Sequence, residues 1–402
     1  MNVLVLDGNE NQAVAATRSL GRAGHHVSVG APTAWSKAGW SRYAKAVVRY
    51  PTPQEDAGAF VRRIAAVVSA MPGTLVLPMT ERSTLPLSEQ REQISAAGGR
   101  LILPPHPTVL RAFDKHAMTA LAQQLGVAVP VTRLLATADD PASVTHSLAY
   151  PLVLKGKSSE EVTAQGGVRA TGAPVYVQRP DELDSAVRTL RTRCTEILVQ
   201  EFVPGTGGGY FALLRDGELR AEFAHRRIRD VRPTGSGSAL RVSVAPDPRV
   251  RDAALAILGA LRWHGIAMVE FRIRPDGTPV FLELNARFWN SLALAVHAGV
   301  DFPVMLVRMA EQGDVPPLDS YREGVRCRWL LGDVRHLIEV WRGRPAGYPG
   351  PFPAKLHTLA HFLRPVPGTY HDNFEWSDPL PEAGDWLDFL VRRLPDRRRG
   401  RG

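Results

Sequence analysis

Cysteine is almost missing from this chain. Its 402 residues include two, Cys194 and Cys327, far apart and without CxxC or CxxH spacing, so neither a zinc site nor a disulfide framework is indicated. A reducing, cytoplasmic setting fits that scarcity. No GxGxxG follows the first strand, which weakens a nicotinamide-cofactor reading. GxSxG and HExxH are absent too, so neither a nucleophile elbow nor a zincin helix is offered. Long apolar runs are lacking: the opening MNVLVLDGNE has no basic flank and is too short to read as a signal peptide or membrane span. Gly156-Lys157-Ser158 imitates the end of a phosphate-binding loop, but the glycine required five residues earlier is Pro151, and that reading fails.

What is present describes a soluble globular protein with two or three domains, since 44% of residues are hydrophobic and 22% charged. The net charge of +9 invites a nucleic-acid reading until it is located: residues 391 to 402 hold six Arg and one Asp, leaving the body at +4. A solvated arginine terminus accounts for it, and we expect neither a nucleic-acid nor a membrane partner.

NVLVL (2–6), a helix over 12–23 and a strand over 26–30 form a βαβ opening. A helix over 57–70 and strands over 74–77 and 100–103 follow, before PPHP at 104–107. The spacing then predicts a helix over 115–125, capped by Asp114 and stopped by Gly126. Strands over 150–156 and 197–203 flank a helix over 181–193, with the mobile loop GGVRATGAP at 166–174. A hairpin turns across Arg215-Asp216-Gly217-Glu218, and helices over 249–261 and 302–312 complete the pattern. Beyond 315, Val334, Leu337, Ile338 and Trp341 lie at helical spacing in what reads as a docked extension.

The stretch VEFRIRPDGTPVFLELNARFWNS (269–291) poses a chemical question. Asp-Gly between two β-type runs predicts a two-residue hairpin loop. That register sets Glu270 opposite Glu283, a repulsive arrangement unless something neutralises it. Strand alternation puts Asn285 on their face, and Val269, Phe271, Ile273, Val280, Leu282 and Leu284 on the core face. Two carboxylates and an amide oxygen are hard ligands suited to Mg2+. A solvated face screened by Lys and Arg, or a glycosidase acid pair, satisfies the hairpin equally well.

Lys155 ends the apolar strand YPLVLK, where a cation needs an anionic partner; a lysine reaching out from a strand end is the plain alternative. Lys115, in a first helical turn that favours acids, is anomalous unless an anion binds there. Arg226 and Arg227, in HRRIR before a glycine-serine loop, suit phosphate or carboxylate recognition as well as they suit a basic loop.

FDKHAMTALAQQLGVAVP, YPLVLKGKSS, ILVQEFVPG, AHRR, VEFR and ELNARF occur in one order, and together they resemble the ATP-grasp superfamily, most closely its carboxylate-amine ligase-like members. The similarity covers roughly residues 1 to 310. It implies an α/β (α+β) architecture: a Rossmann-like pre-ATP-grasp domain over 1–107, and an ATP-grasp domain over 108–312 with a lid at about 128–200 and a central part at about 201–312. A C-terminal extension over 313–402 follows. It implies that Lys115 and Lys155, with Lys157 a weaker candidate, hold ATP phosphates, and that Glu201, Phe202 and Val203 form a hinge against adenine. Glu270, Glu283 and Asn285 would bind two Mg2+ ions, with Mn2+ as a substitute. Arg287 would stabilise the transferred phosphoryl group, and Arg226, Arg227 and Arg241 would meet the acceptor carboxylate or γ-phosphate. Thr80-Glu81 would help select the amine. One departure stands out: Gly205-Thr206-Gly207-Gly208-Gly209 holds none of the acidic residues that the family often gives to ribose. The activity implied is ATP-dependent ligation of a small carboxylate to an amine through an acyl phosphate. Phosphotransfer, carbamate-type chemistry and a non-catalytic ATP switch are the alternatives, and a homodimer is compatible with all of them.

Overall fold

Four short runs rich in Val and Leu pair in parallel at the N-terminus: β1 (Asn2–Val5), β2 (His26–Ala31), β3 (Ala46–Arg49) and β4 (Leu75–Leu77), in the order β3-β2-β1-β4. The computed structural model describes residues 1–162, 168–235 and 237–391. Residues 163–167 of the expected lid, Ser236 of the glycine-serine loop and the arginine tail at 392–402 lie outside them. Helices Asn11–Arg22 and Ala57–Ser69 connect the parallel strands, as parallel pairing requires. The strand expected over 100–103 reduces to one bridge, Leu75 to Arg100. Pro104 and Pro105 follow it directly and cannot donate to a ladder.

A second sheet has the order β5-β10-β6-β9 and is antiparallel: β5 (Thr132–Leu135), β6 (Leu152–Gly156), β9 (Val175–Val177) and β10 (Ile197–Glu201). Between β6 and β9 the chain forms a small hairpin, β7 (Glu160–Val162) with β8 (Val168–Ala170).

The third sheet has seven strands in the order β15-β14-β11-β12-β13-β16-β17. They are β11 (Thr206–Arg215), β12 (Glu218–Arg229), β13 (Leu240–Val244), β14 (Gly265–Ile273), β15 (Pro279–Asn285), β16 (Arg326–Arg328) and β17 (Thr369–His371). Alternation gives this sheet two apolar faces. Tyr210, Val269, Phe271 and Phe281 pack with helices Lys115–Gln124 and Pro248–Ala260, while Phe211, Phe223 and Met268 pack toward the N-terminal sheet. Among the described residues no single helix is long and apolar enough to cross a membrane.

The C-terminal segment supplies β16 and β17 to this sheet and is fastened to the first domain by buried charge. Arg18 donates to Asp378 at 2.8 Å and to the Asn373 carbonyl at 2.7 Å, and Lys37 lies 2.9 Å from Asp385. Helix Leu330–Arg342 departs from the expected apolar face. It buries Leu331, Asp333, His336 and Val340 and leaves Trp341 exposed, because Asp333 turns inward to Arg229 and Arg328.

Candidate functional site

The hairpin that raised the question reaches its register by a different route from the one expected. Arg274 N–H donates to Thr278 O at 3.0 Å across a three-residue loop, Pro275-Asp276-Gly277, closed by Gly277 at φ +82°. This loop pairs Ile273 with Pro279 and Phe271 with Phe281. Continued unbroken, it would set Glu270 against Leu282. A bulge between Glu270 and Phe271 inserts one residue and brings Glu270 opposite Glu283. The bulge also corrects the expected core face: Phe281, not Leu282, meets Phe271, at 6.2 Å between rings, and Leu282 turns into a cleft beside Glu283.

That cleft, of about 370 Å3, lies between the antiparallel four-stranded sheet and the seven-stranded sheet. Lys155 on β6 faces Glu270 and Glu283 across it. Helix Lys115–Gln124 is capped by the Asp114 carboxylate, and its first residue extends Nζ to Ser159 Oγ at 2.7 Å and Glu283 Oε2 at 3.3 Å. Glu270 has its own cation, Arg227, at 3.4 Å. Arg227 sits on β12 and must cross β11 to arrive. Gly207 permits this, since a Cβ there would lie 2.8 Å from the guanidinium. The glycine run thus has a packing reason, whatever holds a ribose.

Electrostatics divide the two glutamates. Burial raises the Glu270 carboxyl, with Arg227 opposing and Glu283 reinforcing the rise. Burial acts the same way on Glu283, but Lys115 and Lys155, the Asn285 amide at 3.3 Å and Arg287 together hold its carboxyl well below the usual range. Lys155 is pushed down to about 8, first by burial and then by Lys115. Asn285 accepts from Arg287 Nη2 at 3.2 Å. Two carboxylates and an amide oxygen on one face fit a hard divalent cation. Among the described residues no group of three or more His, Cys, Asp or Glu could hold a metal alone, so a cation here would need further oxygens from a ligand or water, as Mg2+ commonly does.

At the far end of the cleft, Glu201, Phe202 and Val203 line the wall with Tyr176. The amides of Glu201 and Phe202 already donate to Val131 O and Pro151 O, at 3.1 and 3.0 Å, so neither is left to meet a ligand. Tyr176, Phe202 and Tyr348 form a near-perpendicular aromatic trio, 5.1 to 6.4 Å apart. Tyr176 and Tyr348 escaped the sequence reading, because nothing local marks residues that meet across 172 positions.

Three expected residues are elsewhere. Lys157 pairs with Asp114 at 3.2 Å and Glu196 at 3.0 Å, and is absent from the cleft wall that Gly156, Ser158 and Ser159 help to form. Arg226 is exposed on the sheet face opposite Arg227, as alternation demands. Arg241 is fully buried against Asp372, with Nη1 on Ser238 O at 2.7 Å; the C-terminal segment already neutralises it.

Glu81, at the first turn of helix Glu81–Glu89, is buried in the first domain, and its Oε1 has no hydrogen-bond partner. Lys115 and Arg287 act on it, and Arg82 beside it meets Glu160 of β7 at 3.3 Å. Burial pushes the Glu81 carboxyl up to about 7, against the opposing pull of Lys115 and Arg287. Between the unfolded value near 4.5 and about 7 the native state binds the extra proton, so its stability falls as pH rises through that window. Glu81→Gln is therefore expected to flatten the slope and stabilise the ligand-free protein at pH 8 by up to ~3 kcal/mol, with little gain at pH 4. Urea unfolding at both pH values measures it, and equal effects at the two would refute the assignment.

No protein-family model matches the chain. The carbamoyl phosphate synthase large chain of Methanothermobacter thermautotrophicus is 24% identical over 211 residues, 50% of this chain and 19% of that protein. The corresponding protein of Myxococcus xanthus is 26% identical over 247 residues, 58% of this chain and 22% of its own. The chain thus spans about a fifth of the length of these curated relatives. Among solved structures, an L-amino acid ligase from Bacillus licheniformis superposes with a TM-score of 0.59 at 19% identity, over 77% of this chain and 74% of that one. A biotin carboxylase-beta-gamma-ATP complex from Campylobacter jejuni gives 0.62 at 16%, over 81% and 74%.

Proposed function

Because this chain has the ATP-grasp fold, we propose that it is an ATP-dependent carbon-nitrogen ligase that joins a small carboxylate to an amine. The observation that carries the reading is the opposed pair Glu270 and Glu283, with Lys115 and Lys155 converging on it in a cleft between two sheets. Lys115 and Lys155 hold the triphosphate, the hinge 201–203 and Tyr176 receive adenine, and Glu270, Glu283 and Asn285 would hold Mg2+. The metal, when bound, neutralises charge on the phosphates. Arg287 and Arg227 steady the acceptor carboxylate and the phosphoryl group in flight.

A carboxylate is a poor electrophile toward an amine. Its oxygen takes the γ-phosphoryl group with release of ADP, giving an acyl phosphate; the amine nitrogen then forms the amide bond as phosphate leaves and a proton is lost. Positioning and electrostatics are most of what such a transfer asks of a protein. The Arg82–Glu160 contact, which draws β7 toward the first domain, supports a cleft that keeps water from the intermediate. We place the incoming ammonium at Glu81, whose buried Oε1 lacks a hydrogen-bond partner.

A screen of amino acids and small carboxylates with Mg-ATP, read by ADP release and product mass, tests this. An amide with ADP and phosphate supports it, whereas a stable phosphorylated product replaces it with the carbamate-type reading that the likeness to carbamoyl phosphate synthase favours. Tight ATP binding with no turnover on any pair would instead favour a switch.

A further inference from the structure

We propose that the C-terminal segment forms a second, separate anion site, built for the phosphate group of a small molecule. A pocket of about 210 Å3 opens where β13, β16 and β17 meet helix Lys355–Leu363. Arg229, Arg328, Arg364, His361, His371 and Thr369 line it. It lies on the other side of the sheet from the cleft. Arg241 pairs with Arg227 and with Cys327, whereas Leu240 pairs with Arg229 and Arg328, and Arg328 with His371. Alternation therefore sends the two sets to opposite faces. The site does not depend on the ligase reading.

Its charge is unbalanced. Asp333 is the acid among these cations, and both Arg229 and Arg328 bind it, the latter at 2.6 Å. Each uses Nε for Asp333; Arg229 adds Nη2 to the same carboxylate, and Arg328 directs Nη2 to Phe362 O at 3.1 Å. The Nη1 group of each is left without an acceptor among the described residues. The Arg364 guanidinium is exposed and meets no carboxylate among those residues. Asp372, next to His371, is turned to the opposite face and held by Arg241. Three guanidinium groups against one carboxylate leave a surplus of two positive charges in a small enclosure.

Polar atoms in the wall are also unsatisfied. Thr369 Oγ1 and His371 Nδ1 are buried without a hydrogen-bond partner, a condition that costs free energy unless a ligand or water relieves it. The lining comes from β12, β16, β17 and the end of helix Lys355–Leu363, and guanidinium forks match phosphate oxygens.

The test is calorimetric titration of the full chain with inorganic phosphate and, separately, with glycerol 3-phosphate, at ionic strength matched with chloride. Wild type is compared with Arg364→Ala, a change at an exposed residue that is expected to leave the thermal midpoint unchanged. Saturable binding weakened about tenfold or more by Arg364→Ala supports the site. Tighter binding of glycerol 3-phosphate assigns it to a phosphorylated molecule, and tighter binding of phosphate to the free ion. Binding that Arg364→Ala leaves unaltered, or heat indistinguishable from the chloride control, overturns the proposal.

Discussion

Glu283→Gln is expected to lower Mg-ATP-dependent turnover by about a thousandfold while changing the thermal midpoint of the ligand-free protein little. Both halves follow from its neighbours. Lys115 lies 3.3 Å away, Lys155 acts on it through the same cleft, and Asn285 donates to it. Removing the charge relieves repulsion with Glu270 but deprives two lysines of a partner, so the stability terms oppose each other. Turnover has no such cancellation, because Glu270 and Glu283 would together supply the anionic ligands of the metal, and one of the two is lost. ADP release across a Mg2+ titration, set beside the thermal midpoint, measures both. Unchanged turnover at saturating Mg2+ would remove the metal assignment from Glu283.

The second large effect belongs to Lys155. Lys155→Met is expected to weaken ATP binding by roughly a hundredfold, the scale of truncating one partner of a buried charge pair. Its amine is pushed down to about 8 in the ligand-free protein, which adds a pH signature. Triphosphate favours the charged amine, so below that value the group is already protonated and affinity is insensitive to pH. Above it, binding must carry a proton in, and affinity declines by up to roughly tenfold per pH unit. Calorimetry at pH 8 in buffers of different ionisation enthalpy should register this uptake for wild type and not for Lys155→Met. Identical proton uptake in the two proteins would assign the titration elsewhere.

Legibility from sequence tracked distance along the chain. The opposition of Glu270 and Glu283 is legible because fourteen residues with a turn signal at their centre encode it, yet the loop has three residues and a bulge restores the pairing. Asp114 as a cap and Gly126 as a stop were readable for the same local reason. The ion pairs of Lys157 with Asp114 and Glu196 are not legible in its own strand, because the partners lie 43 and 39 positions away. The face of helix Leu330–Arg342 was misjudged because apolar spacing gave no weight to Asp333, which two arginines from other strands draw inward.

Alternation, capping and turn chemistry act over a few residues, so this chain by itself determined its βαβ opening, the facing glutamates and the lysines available to answer them. The tertiary structure alone decided that Arg227 reaches Glu270 over Gly207 while Arg241 is held by Asp372. It alone brought Tyr348 to Tyr176, and Arg364 to a pocket shared with Arg229. Those partners lie many residues apart, and their meeting depends on how whole sheets and helices pack, which no local pattern records.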